Sequence, residues 1–311
     1  MIVTVTLNTG IDRTICIPDF HWDGTIRAEE TALGMGGKAI DVSWVLGEMN
    51  VENLALGFAA GITGKQMESM LHERNVKTNF TWVDGESRTN TILINKKTET
   101  QSTVTTNGLV VTSTHLGQFV ATYQLSLNQA SCVVIGGSLP ENVPIKTYKS
   151  LIEMAHKAGI PVIFDASGDA LTAGLSANPT LIKPNKDELQ QYSGRTISTQ
   201  EDVIHAAIEM HKKHHCIVVA TMGADGAIAI TEEKQYIIEP LRVDVQSTAG
   251  TGDAIVAGLA YALSEKKPII EGLRTGFAAA AAVMLTLGTA DCRLADIQNF
   301  RNKITIREIN L

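Results

Sequence analysis

The chain has 311 residues, 44% of them hydrophobic and 19% charged, a composition that argues against disorder. A chain of this length can bury about three quarters of its unfolded surface. Its net charge of −7, with no long Lys/Arg run, argues against nucleic acid or an anionic membrane as the main partner. A few local cations can still hold a small anion.

In chain order, Met1–Leu7 reads as a strand, Lys38–Met49 as a helix, Asn53–Phe58 as a strand and Lys65–Arg74 as a helix. Cys132–Ile135 is a short apolar strand closed by a turn at Gly136–Pro140, and Ile145–Ala158 is a helix. Pro161–Asp165, Thr180–Lys183 and Cys216–Thr221 read as strands. Thr199 opens a helix whose first turn carries Glu201 and Asp202, where acids suit the macrodipole. Gly252–Leu263 and Ile269–Leu287 are helical patterns near the end. This alternation predicts an α/β fold with a mostly parallel sheet covered on both faces. Two segments break it: about 11–34 and 86–108 alternate polar and apolar residues, as in TNTILIN, and predict a small sheet with one wet face. No linker or repeat divides the chain, so one domain over 1–311 is expected.

The N-terminus, MIVTVTLNTG, lacks the basic start of a signal peptide. The charge-free stretch Thr275–Ala290 falls short of the roughly 20 residues that span a bilayer. The four cysteines, Cys16, Cys132, Cys216 and Cys292, form no CxxC pair and read as free thiols of a reducing compartment. A cytoplasmic protein is expected.

The strongest chemical signal is Ser247–Asp253, STAGTGD, followed by an apolar helix. A glycine-rich turn that opens a helix aims several backbone N–H groups at one point, with the helix dipole behind them. Ala249, Gly250, Thr251 and Gly252 are therefore candidates for an anion hole. Asp253 reads either as a helix cap or as a base beside that hole. The chain has no GxxxxGK[ST] loop, and its one GxGxx[GA] match, at Gly34–Ala39, follows a polar stretch rather than a strand.

Three further signals stand in chain order. Gly36-Gly37-Lys38 opens a helix and reads as a second anion site or as a solvated lysine after a turn. Gly136–Pro140, with Ser138, follows a strand at the end where α/β sheets bind ligands, or is a plain connection. In Lys183–Glu188, Asn185 and Glu188 share a helix face and read as a steering pair for hydrated Mg²⁺ or as a helix cap. His211, His214 and His215 crowd a helix end without a third metal ligand and suit its dipole.

The order GGK, GSLP, KPNxxE and GTGD-helix resembles the PfkB branch of the ribokinase-like carbohydrate kinases, over essentially the whole chain. The opening TVTLNTGID is similar to the hexose-phosphate kinases of that branch. The resemblance implies a three-layer α/β/α sandwich with a small β-sheet lid and a homodimer through the lid. It implies ATP and Mg²⁺, with a phosphorylated ketohexose, fructose 1-phosphate or tagatose 6-phosphate, as acceptor. Asp253 matches the catalytic base and Ala249–Gly252 the anion hole. Asp12, Gly36, Gly37, Lys38 and Asp41 match sugar-site positions, and Arg27, Arg88 and Ser138 match positions near the substrate phosphate or sugar. Lys183, Asn185 and Glu188 match the nucleotide and Mg²⁺ region. Thr221, Gly223 and Gly226 match a loop at the ATP site.

The chain departs from the family's GGKGxN, reading GGKAID, with Ala39 and with Asp41 in place of Asn. That carboxylate adds negative charge beside a sugar phosphate unless Arg27, Lys38 or Arg88 offsets it. An unphosphorylated sugar or a nucleoside is the alternative acceptor. A sugar-sensing protein without turnover is the alternative outside the enzymes, and the intact GTGD and NxxE segments speak against it.

Overall fold

The computed structural model describes residues 1–309. Strand β1 (Ile2–Thr6) is followed by β2 (Gly10–Ile17), β3 (Glu30–Gly36) and helix α1 (Lys38–Glu48). Then come β4 (Asn53–Ala59), α2 (Gly61–Glu73), two short strands β5 (Lys77–Thr78) and β6 (Thr81–Trp82), β7 (Arg88–Asn95), β8 (Thr100–Val104) and α3 (Ser113–Ser126). The middle alternates: β9 (Cys132–Gly136), α4 (Lys146–Lys157), β10 (Val162–Asp165), α5 (Gly168–Leu175), β11 (Leu181–Ile182), α6 (Lys186–Ser193) and α7 (Gln200–His214). The last third holds β12 (Ile217–Thr221), β13 (Ala227–Ile230), β14 (Gln235–Ile238), α8 (Thr251–Ser264), α9 (Ile269–Val283), α10 (Leu294–Arg301) and β15 (Ile306–Ile309).

The main sheet runs β15-β14-β13-β12-β11-β10-β9-β1-β4-β5, with β6 also against β4. Its strands from β12 to β4 pair in parallel. Residues along β1 point alternately to two apolar layers, Ile2 to one and Val3 and Val5 to the other. Helices α1, α2, α8, α9 and α10 supply the first layer, and α3 to α7 the second. A three-layer α/β/α sandwich results.

A separate four-stranded sheet, β3-β2-β7-β8, accounts for the two extended excursions. Its register sets Asp12 opposite Gly34 on one side and Asn90 on the other. Those residues face the protein. Arg13, Leu33 and Val104, of the opposite parity, are exposed.

Several expectations need correction. Helix α2 begins at Gly61, not Lys65, because extended Ala60 already caps it. Helix α9 ends at Val283 rather than Leu287. Helices α3, α5 and α10 were not anticipated. Helix α3 starts at a capping box in which Thr112 and His115 satisfy each other's backbone N–H groups. The far edge of the main sheet, β12-β13-β14-β15, is antiparallel. Among the described residues, no helix is long and apolar enough to cross a membrane.

Candidate active site

The turn before α8 is held in a shape that only glycine tolerates. Gly250 is the helix cap, with φ of +83°, and a Cβ there would lie 2.3 Å from the Ala290 nitrogen. The neighbouring donors divide into two groups. Ala249 N–H donates to Ser247 Oγ (3.2 Å) and Thr251 N–H reaches Thr248 O at 3.3 Å. Among the described residues, the N–H groups of Gly250, Gly252 and Asp253 have no acceptor. The free donors therefore fall slightly further into the helix than the expected Ala249–Gly252 set.

Lys183 directly follows β11 and brings its ammonium against this turn: a Cβ on Gly252 would lie 3.0 Å from Nζ. Lys183 is only 6% exposed, and its charge is met by Asp165 Oδ2 at 3.1 Å. The other oxygen of Asp165 accepts from Lys38 Nζ at 2.6 Å, and Lys38 also lies 3.5 Å from Glu188 Oε1. Asp165 was missed from the sequence. It stands at the carboxyl end of a parallel strand, a place where α/β folds collect functional groups, and that was the available signal.

Burial penalises the charge on Asp165, yet Lys183 and Lys38 outweigh it and hold its carboxyl below the usual range. Asp253, in the first turn of α8, goes the other way. Burial and the nearby Asp165 charge push its carboxyl up to about 7, against the pull of Lys38 and Lys183. A carboxylate there is poised to take a proton near neutral pH. Burial opposes the charge on Lys38, but Asp165, Glu188 and Asp253 outweigh it and keep the ammonium protonated.

Toward the small sheet, Asp12 accepts from Asn90 Nδ2 (2.7 Å) and Thr289 Oγ1 (3.0 Å). Burial raises its carboxyl despite those bonds and Arg88. Arg88, at the start of β7, donates to Asn8 O (3.2 Å), and Asn8 Nδ2 donates to Ser138 Oγ (3.1 Å) in the turn after β9. Asn8, Asn90 and Thr289 are additions to the expected set. Gly36 ends β3 and Gly37 caps α1, so Lys38 and buried Asp41 stand in one helical turn. Gln101, on the inner face of β8, accepts from Ser247 Oγ (3.3 Å) and Thr248 N (3.4 Å), placing the small sheet over the glycine turn.

Arg27 is not brought to this cluster. It lies exposed beyond Glu30, at the end of β3 opposite Gly36, some six residues or about 20 Å of strand away. Among the described residues it makes no ion pair.

Asn185 and Glu188 form a capping box: Asn185 Oδ1 accepts from Glu188 N (2.8 Å) and Glu188 Oε2 from Asn185 N (2.9 Å). Glu188 Oε1, facing Lys38, is left for other duty. Among the described residues, no group of three or more His, Cys, Asp or Glu could hold a metal ion. A cation that keeps most of its own waters needs no such group. Asn185 bridges Thr221 across β11 and β12, and Gly223 and Gly226 bracket the tight turn that follows. Beyond that turn lies a cleft of about 460 Å³, lined by Lys186, Thr199, Met222, Ala224, Asp225 and Arg242. None of the carboxylates described above lines it.

Backbone donors at a helix start, two lysines and a carboxylate near neutrality are the means by which phosphoryl-transfer sites position and neutralise charge. Residues 7–296 match the pattern of the pfkB family carbohydrate kinases, and the chain belongs to that family. It is an ATP-dependent sugar kinase. It is 31% identical to 1-phosphofructokinase of Bacillus subtilis over 94% of this chain and 95% of that one. It is also 31% identical to the Escherichia coli 1-phosphofructokinase, over 93% of each. Among solved structures it resembles Escherichia coli phosphofructokinase-2 in complex with potassium (TM-score 0.87, 29% identity, 97% of this chain and 98% of that one). It also resembles a possible 1-phosphofructokinase from Thermotoga maritima (TM-score 0.88, 27% identity, 100% of each).

Proposed function

We propose that the chain transfers the γ-phosphoryl group of ATP to a primary hydroxyl of a phosphorylated ketohexose, fructose 1-phosphate first and tagatose 6-phosphate second, in the cytoplasm. The observation that carries this reading is Asp253, poised near pH 7 at a helix start whose N–H groups lack acceptors. Asp253 accepts the proton of the attacking hydroxyl. The N–H groups of Gly250, Gly252 and Asp253 hold the transferring phosphoryl oxygens, with Lys183 and Lys38 alongside. Asp12, fixed by Asn90 and Thr289, orients the sugar. Arg88 and Ser138 meet its phosphate. Asn185, Thr221, Gly223 and Gly226 border the nucleotide. Mg²⁺ bound with ATP would neutralise phosphate oxygens, held through water by Asn185 and Glu188. The small sheet acts as a lid that excludes water. Its exposed face, with Leu33 and Val104, packs against a second copy of the chain.

An unphosphorylated sugar is a second reading with one observation in its favour. Lys38 and Lys183 are both taken up by Asp165, leaving Arg88 to meet a substrate phosphate. The deciding experiment follows ADP release with Mg·ATP against fructose 1-phosphate, tagatose 6-phosphate, fructose 6-phosphate, fructose, ribose and adenosine. Turnover on fructose 1-phosphate above the rest is expected. Preference for free fructose, ribose or adenosine would replace this reading with the second, and turnover on none of the six would overturn both.

A further inference from the structure

Asp41 lies in the first turn of α1, 4% exposed, and its Oδ1 has no hydrogen-bond partner. No lysine or arginine forms an ion pair with it among the described residues, unlike Asp165. The charged groups that face it are Asp253 from α8, Asp12 from β2 and Arg88 from β7. The two acids oppose a charge on Asp41, while Arg88 and the Gly37 N–H favour one. Lys38, on the same helix, is turned to Asp165 and Glu188. Arg88 donates to Asn8 O from one terminal nitrogen, and its Nε is unpaired. Burial without a counter-ion disfavours an ionised carboxylate strongly, and two neighbouring acids add to that, so the carboxyl of Asp41 is raised well above the usual range.

The unpaired buried oxygens around Asp12 are acceptors: Asn8 Oδ1 and Asn90 Oδ1 both lack a donor. Sugar hydroxyls both donate and accept, so they need donors beside these acceptors, and Arg88 Nε, also unpaired, is one such donor, but a charged one. A protonated Asp41 adds an uncharged O–H donor beside the lone pairs of Asn8 Oδ1 and Asn90 Oδ1.

We propose that Asp41 binds a hydroxyl of the sugar as an uncharged carboxylic acid, donating its O–H to the sugar oxygen, and thereby sets an upper pH limit on sugar binding. The inference rests on the sugar-kinase reading of the site. As pH rises through the titration of Asp41, the donor is lost and a negative charge appears beside the substrate. Sugar affinity falls, and KM for the sugar rises by up to about tenfold per pH unit beyond that point. An amide keeps a donor at every pH.

The test compares the parent enzyme with Asp41→Asn, measuring KM and kcat for fructose 1-phosphate between pH 6 and pH 9. The second ionisation of the sugar phosphate, near about pH 6, is common to both enzymes and cancels in the comparison. A parent KM that climbs with pH while that of Asp41→Asn stays flat is expected, with the pH dependence of kcat similar in the two. An infrared difference spectrum at pH 7 supplies a readout free of substrate: the protonated-carboxyl band of the parent should be missing in Asp41→Asn. A parent KM independent of pH, an Asp41→Asn enzyme with the parental slope, or no lost carboxyl band would each overturn the proposal. If fructose 1-phosphate is not turned over at all, the substrate reading fails, and the infrared band still decides the state of Asp41.

Discussion

Lys38 and Asp165 are 127 residues apart in the chain, and their Nζ and Oδ1 atoms meet at 2.6 Å at the centre of the site. Lys183 completes a triad on the opposite oxygen. Replacing Asp165 with Asn leaves two ammonium groups facing each other, one of them fully buried. Breaking such a buried pair costs about 3–5 kcal/mol. The acid limb of the activity profile should also move to lower pH. Burial raises the Asp253 carboxyl most, Asp165 raises it next and the two lysines lower it, so removing the acid shifts the balance downward while burial and Asp12 still oppose the shift. Thermal denaturation and a pH series of kcat check both effects. A loss of stability below about 1 kcal/mol would show the triad to be no stronger than a surface pair.

Asp253→Asn should fold like the parent and lose about 10²–10⁴-fold in turnover, the usual contribution of a general base. In the parent, turnover should fall as pH drops below about 7, because protonated Asp253 cannot accept the hydroxyl proton. Circular dichroism confirms folding, and single-turnover rates report the chemical step. A variant within threefold of the parent would remove Asp253 from the proton transfer.

Glu188→Gln separates the two duties of that side chain. Glutamine serves at the same position of a capping box, so the helix start should survive the change and the protein should still fold. The charge beside Lys38 disappears, and the Mg²⁺ concentration giving half-maximal activity should rise at least severalfold. An unchanged Mg²⁺ titration would confine Glu188 to capping.

The outer face of the small sheet carries exposed Leu33 and Val104. Sedimentation equilibrium should find two copies of the parent chain associated and single copies of the double variant Leu33→Lys, Val104→Lys. A monomeric parent, or a variant that still associates, would remove this face from the assembly.

The parts of the site legible in the sequence are those built by neighbours in the chain. STAGTGD is a turn and a helix start within seven residues, and its backbone donors follow from local conformation alone. The pairing of Asp165 with Lys38 and Lys183 joins two strand ends and a helix start, and nothing in any one segment announces it. The hold of Asn90 and Thr289 on Asp12 is of the same kind: register between strands creates it, and the sequence shows only a polar residue in each place. Arg27 is the opposite case within one chain. A motif position implied proximity, but the strand carries it away from the cluster. The antiparallel edge from β13 to β15 went unread because strands of four residues leave too short a pattern.

One glycine, Gly37, separates the last residue of β3 from the first residue of α1. The small sheet and the helix bearing Lys38 and Asp41 are therefore a crank with a single joint. At its other edge, Gln101 rests on Ser247 and Thr248, beside the turn that ends at Gly250. Whatever tilts the sheet must work both fixtures together. A rotation that loosened Gln101 from Ser247 and Thr248 would also pull on the helix turn that bears Lys38 and Asp41, so the two ends of the cluster would move in one mechanical stroke.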